Sequence, residues 1–193
     1  ELSVWDGNSA DPGRRKKNAY LGAGQTWSPD RYAGYVQFGM WLLRPRVVRE
    51  FRGSTCPRAE FQEDFEAAVE AVDRVWKNPE LRRFWRLGAL VPNRAHPHPY
   101  QEGLPERWKR VDRWFLLDTN LDPPRPWRLD TEIPVFALAR VIGGEGRREW
   151  LVYAHSPLRD RRGVEIHVPE FGRISMDVPV GGGFVRVREE DLS

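Results

Sequence analysis

A single cysteine, Cys56, in 193 residues leaves no partner for an intrachain disulfide and too few thiolates for a zinc cluster. It stands between Thr55 and Pro57 at an expected helix start, where a thiol pKa is readily lowered. With no base placed beside it, it reads as a capping-region residue rather than a nucleophile. No run of 18 apolar residues occurs and no secretory signal pattern is present, so a membrane partner is not expected. Internal repeats and low-complexity tracts are also missing. Charge of one sign is scarce in excess: 31 Lys and Arg face 28 Asp and Glu, a net of +3. The basic residues interleave with acids, as in VREFRG, ELRRFWR and ERWKRVDR, which describes ion-paired solvated faces rather than a nucleic-acid footprint.

What is present is a folding composition, 40% hydrophobic and 31% charged. The length accommodates one large domain or two small ones. Nine Trp, nine Phe and five Tyr make the chain rich in aromatics, a trait shared by sugar-binding, nucleic-acid-binding and large-core proteins. The chain begins at Glu1 rather than Met, which suits a piece of a longer precursor, and its compartment is not readable.

The pattern separates a helical first half from a strand-rich second half, an α+β organisation. A short apolar run, ELSVWDG, a polar loop and a second run, AYLGAGQT, precede Ser28 and Pro29, an N-cap and first helical residue. Tyr32, Tyr35, Val36, Gly39, Met40, Leu43 and Val47 follow at helical spacing, with a kink expected where Pro45 interrupts. A second helix is expected from Pro57, burying Phe61, Phe65, Ala68, Val69, Val72 and Trp76 and exposing an acidic face of Glu60, Glu63, Asp64, Glu66 and Glu70. Asn78 and Pro79 open a short third helix that Gly88 ends. Residues 89–105 hold four prolines and read as a linker between segments 1–88 and 106–193. Strands are expected at 113–117, 133–142, 149–154, 164–168, 173–178 and 183–187, with turns at 143–146, 159–163, 169–172 and 179–183. Short strands at that spacing predict an antiparallel β-sandwich.

The stretch AYLGAGQTWSPDRYAGYVQFGMWLLRPRVVREF, followed by WLVYAHSPLRDRRGVEIHVPEFGRISMDVPVGGGF, resembles the C-terminal part of a TIM-barrel glycoside hydrolase, in which the last barrel strands and helix lead into a small β-sandwich. The resemblance implies that ELSVWDG is a late barrel strand, AYLGAGQT the final one, and the helix from Asp30 the final barrel helix. The six or so earlier strands, which carry the general acid in that family, are not in this sequence. Catalytic groups of barrels lie at the C-terminal strand ends, and glycosidases use two flanking carboxylates. By this resemblance Asp6 is a catalytic carboxylate, and Trp5 and Trp27 are platforms for a sugar ring. A turn role for Asp6 before Gly7, and a core or staple role for Trp27, remain the alternatives.

Other candidates carry less chemistry. Arg44, Arg46, Arg49 and Glu50 suit ion pairing between domains. His96 and His98 lie in the proline-rich linker with no carboxylate near, and His155 and His167 fall on separate expected strands. Gly181 to Gly183 precede a strand, which makes a hairpin turn rather than a phosphate cradle. No metal and no cofactor is expected. The chain is expected to act on carbohydrate as the C-terminal portion of a glycosidase, catalytically incomplete without a catalytic barrel chain or self-association. The alternatives are a non-catalytic carbohydrate-binding module using Trp108, Trp114, Trp127 and Trp150, and an interaction protein without sugar chemistry. Exposed, coplanar Trp rings would distinguish the first alternative from the second.

Overall fold

The computed structural model describes residues 1–4, 28–50, 62–92, 135–156 and 159–192. The chain is a mixed α+β fold with eight strands and three α-helices among these residues. Helix α1 (Pro29–Leu43) starts as the sequence predicts: Ser28 is extended and its hydroxyl accepts the Arg31 N–H, with Pro29 at the first helical position. It ends at Leu43 instead of kinking, because a residue before proline avoids the helical region. Arg44 turns left-handed there (φ 48°), and its N–H still closes on the Met40 carbonyl. The chain then enters β2 (Val48–Glu50), which pairs in parallel with β1 (Leu2–Val4). Strand β2 has no sequence signal, being only three residues long after a proline. The strand expected over AYLGAGQT lies outside the described residues.

Helix α2 (Gln62–Lys77) differs from expectation in which face it buries. Ala67, Ala68, Ala71 and Val75 are buried, whereas Phe65, Val69 and Trp76 are exposed. Alanines let α1 and α2 approach closely, and that close packing wins over the larger residues one turn position away. Asp64, expected on the solvated face, is buried at 2% exposure. After Asn78, whose side chain caps two N–H groups, α3 runs Pro79–Leu87 and stops at Gly88.

The larger sheet is antiparallel, in the order β3 (Ala89–Leu90), β4 (Phe136–Ile142), β5 (Glu149–His155) and β8 (Gly183–Arg188). Ala89 and Leu90 thus pair with Val141 and Arg140 at the start of the stretch read as a linker. Strands β6 (Arg161–Val168) and β7 (Gly172–Val178) form a separate hairpin, with a register irregularity between Arg161 and Val164. Strand β6 begins inside the segment expected to be a turn. The expected alternation holds: Val164, Ile166, Val168, Ile174, Met176 and Val178 are buried, and the residues between them face outward.

Both faces of the four-stranded sheet are covered. On one, Leu138, Ile142, Leu151 and Tyr153 join α1, α2 and α3 in a single core around Trp41 and Phe84. On the other, Ala137, Ala139, Trp150 and Val152 pack with the β6–β7 hairpin. Three layers result, helices over sheet over hairpin. Helix α1 is central: it touches α2, β1, β4 and β5. Among the described residues no helix is long and apolar enough to cross a membrane.

Candidate functional site

Asp6, Trp5 and Trp27 lie outside the described residues, as do Cys56, His96, His98, Trp108, Trp114 and Trp127. Trp150 is buried completely, with Phe171 at 5.3 Å between ring centres and the Arg148 guanidinium 5.1 Å from its ring, so it is no glycan platform. It points to the hairpin because β5 alternates and Tyr153 must reach α1. His155 and His167 do not come together: His155 is in the helix-facing core, and His167 lies on the outward face of β6. Among the described residues no three His, Cys, Asp or Glu side chains form a metal-binding group.

Arg44 and Arg49 are not a buried ion-pair cluster. Arg49 pairs with Glu1 at 3.2 Å in the open. Arg44 donates to the carbonyls of Arg86, at 3.0 Å, and Gly88, and so caps the end of α3. Among the described residues the buried cation is Arg140, which stands as one polar residue in the apolar run FALARVI. It is 2% exposed, and its Nε donates to the Trp41 carbonyl at 2.9 Å and its Nη1 to the Gly88 carbonyl at 2.8 Å. These are the carbonyl ends of α1 and α3, where helix dipoles attract a cation. Burial and the neighbouring Arg44 pull its pKa down to about 10, so it keeps its charge at neutral pH.

A second buried polar group sits at the end of β5. The His155 ring is fully buried among Tyr35, Phe38, Phe136 and Tyr153, with ring centres 5.3 to 5.9 Å away. Neither ring nitrogen has a hydrogen-bond partner among the described residues, nor does the buried Ser156 hydroxyl next to it. Burial lowers the imidazole pKa to about 3, so the ring is neutral. Nearby, the Tyr153 hydroxyl donates to the Gly34 carbonyl at 2.8 Å. The 179–182 turn presses on α1 at Gly34, where an added Cβ would stand 2.3 Å from the Val180 carbonyl oxygen.

Among the depressions that open on the helical layer, two bear on function. The first, of about 340 Å³, is apolar: Phe65, Val69, Val72 and Trp76 of α2 form one wall, Met40 and Trp85 close it, and Arg46 and Asp73 stand at its rim. The Trp76 and Trp85 rings meet edge to face, 5.5 Å apart at 74°, and so make a corner rather than a flat platform. The second, of about 750 Å³, lies by the first turn of α1 and combines Phe65 and Val69, which it shares with the first, with the side chains of Asp30, Gln37, Glu66, Glu70, Arg74 and Lys77. Arg74 is fixed in it by the carbonyls of Gly181 and Gly182, at 3.2 and 3.0 Å. Its carboxylates and cations offer acceptors and donors of the kind polyhydroxyl ligands use. Both depressions depend on the rotated burial of α2: its small face is spent on α1, which leaves the large apolar residues and the glutamates outward.

No family model matches the chain, and no curated protein or solved structure matches it either.

Proposed function

We propose that this chain is the C-terminal portion of a glycoside hydrolase-like protein, supporting or completing a site that acts on carbohydrate, and catalytically incomplete alone. One observation carries the reading: β1 and β2 run parallel with α1 between them. Parallel neighbours require such a crossover, and repeated strand–helix crossovers are what a barrel is made of. Helix α1 returns the chain to the start of β2, so its first turn stands on the side where the strands end. Barrel enzymes place catalytic groups on that side. Asp6 follows β1 by two residues, and Asp30, Glu66, Glu70 and Arg74 line the polar cleft beside that turn. In this reading the antiparallel sheet and its hairpin are the sandwich that follows the barrel, joined to it through α1. Two three-residue strands cannot close a barrel, so the general acid and the remaining strands come from elsewhere.

The test is a glycan array and titration of the purified chain, with aryl glycosides as turnover substrates. Retention of an oligosaccharide is expected, weakened about fivefold or more by Asp30→Asn or Glu70→Gln, with no turnover. Absence of any glycan binding removes the carbohydrate reading. Hydrolysis by the monomer that disappears in Asp6→Asn removes the claim of incompleteness.

The second reading, a non-catalytic interaction module, is favoured by the apolar groove at Trp76, whose half-exposed ring (51%) is costly to leave in water without a partner. Glycan binding in the cleft distinguishes the two.

A further inference from the structure

Helix α2 is apolar on two sides. Ala67, Ala68, Ala71 and Val75 are consumed by α1, while Phe65, Val69, Val72 and Trp76, at spacings of four, three and four, line the open groove. Phe65, Val69 and Trp76 are 46%, 44% and 51% exposed, and Leu43, Val47 and Leu87 add exposed apolar surface. A stripe of this kind is the mark of a helix that packs on a second helix.

The charges around the stripe identify that second helix. The part of α2 before Ala71 is acidic, with Glu63, Glu66 and Glu70. Its last turn is basic, with Arg74 and Lys77, and α3 continues the basic end with Arg82 and Arg86 beside Trp76. Asp73 is the one acid of α2 after Ala71, and Lys77 pairs with it at 2.6 Å. A helix that is acidic at its start and basic at its end is its own complement when turned end for end. We infer that the α2 groove is a self-association surface, occupied by α2 of a second copy of this chain in an antiparallel, two-fold arrangement.

In that arrangement the axis passes between Glu70 and Ala71. Phe65 meets Trp76 of the second copy, Val69 meets Val72, and Glu66 comes beside Lys77, each contact occurring twice. Arg74 contributes less, being held by the Gly181 and Gly182 carbonyls. The sixteen residues of α2 give a face about 24 Å long. One helix face with the adjoining ends of α1 and α3 makes a small interface, and a reversible dimer with a dissociation constant on the order of micromolar is expected. The inference does not rest on the carbohydrate reading, although Phe65, Val69 and Asp73 line both depressions and Glu66 and Lys77 also line the cleft, so the Glu66 and Lys77 variants are judged by association alone.

Sedimentation and light scattering of the full chain from 5 to 500 µM, concentrations spanning the micromolar range on the order of that constant, provide the test. A reversible monomer–dimer equilibrium is expected. Val69→Asp, at an exposed position, should weaken it by about a hundredfold, because the change is made twice per dimer. Glu66→Lys and Lys77→Glu should each weaken association, and the double variant should restore it to within a few-fold of the parent. Circular dichroism on each variant confirms that the monomer is folded. A chain still monomeric at the top of that range overturns the inference. So does a dimer indifferent to Val69→Asp, or a charge-swapped double variant no better than the singles. Glycan binding with monomeric behaviour upholds the proposed function and rejects this inference. Dimerisation without glycan binding does the reverse.

Discussion

Replacing His155 by phenylalanine tests whether the core between α1 and β5 tolerates its polar ring at a measurable cost. The imidazole is fully buried among four aromatic rings, and it stacks on Phe136 at 25°. Its pKa falls from 6.5 to about 3 through burial. The sign follows directly. Between pH 6.5 and 3 the unfolded chain binds a proton that the folded chain refuses, so stability falls as the solution is acidified through that window. At about 1.4 kcal/mol per unit the full loss is on the order of 5 kcal/mol, much of the stability of an ordinary domain. His155→Phe removes this dependence. It also removes two ring nitrogens that lack partners among the described residues, which should add about 1 to 2 kcal/mol at pH 7. Urea unfolding followed by circular dichroism at pH 7, 5 and 4 reads both effects. If the variant loses stability with acid as steeply as the parent, or is less stable at pH 7, the ring is not the buried, unpaired group described.

Three further outcomes are expected. Arg140→Met should cost about 3 to 5 kcal/mol, because the carbonyl ends of α1 and α3 lose their charged donor inside the core, whereas Arg44→Ala should cost about 1 kcal/mol, Arg44 being exposed and Gly88 still bonded to Arg140. Guanidinium denaturation of the two variants checks the contrast. Gly34→Ala should destabilise by about 2 to 3 kcal/mol, since its Cβ would stand 2.3 Å from the Val180 carbonyl oxygen, with thermal unfolding as the measure. Gly182→Ala should cost at least as much, because φ of +85° adds strain to the 2.5 Å approach of the Tyr153 hydroxyl, and the same measurement applies.

The strand half of the chain was legible because it obeys one local rule. The ladder of Val164, Ile166, Val168, Ile174, Met176 and Val178 writes its own inward face, and glycine-rich turns mark its ends. Helix starts were equally clear at Ser28 and Asn78, where the capping side chain is bonded as the sequence predicts. Which face of α2 is buried was not legible, because that depends on how near α1 comes. Larger side chains hold the stronger hydrophobic signal, yet the alanines permit the closer contact. Arg140 escaped for a similar reason: its partners, Trp41, Leu42 and Gly88, lie 52 to 99 residues away in sequence. Of the candidate site, Asp30, Glu66 and Glu70 were recognisable as helix residues but not as neighbours in a cleft. Asp6, Trp5 and Trp27 fall outside the described residues.

The order of strands bears on how the chain is made. Strand β8 pairs with β5, although the β6–β7 hairpin intervenes between them in sequence. During synthesis β4 and β5 emerge first and can close their own ladder, but the far edge of β5 stays open until residues 183–188 arrive. Every residue of β5 from Trp150 to His155 is buried in the finished protein. A ribosome pausing before β8 therefore holds an apolar strand with one unpaired edge, a template for pairing with another nascent chain. Chains truncated before Gly183 should accumulate as aggregates, and β8 acts as the closing seam of this sheet.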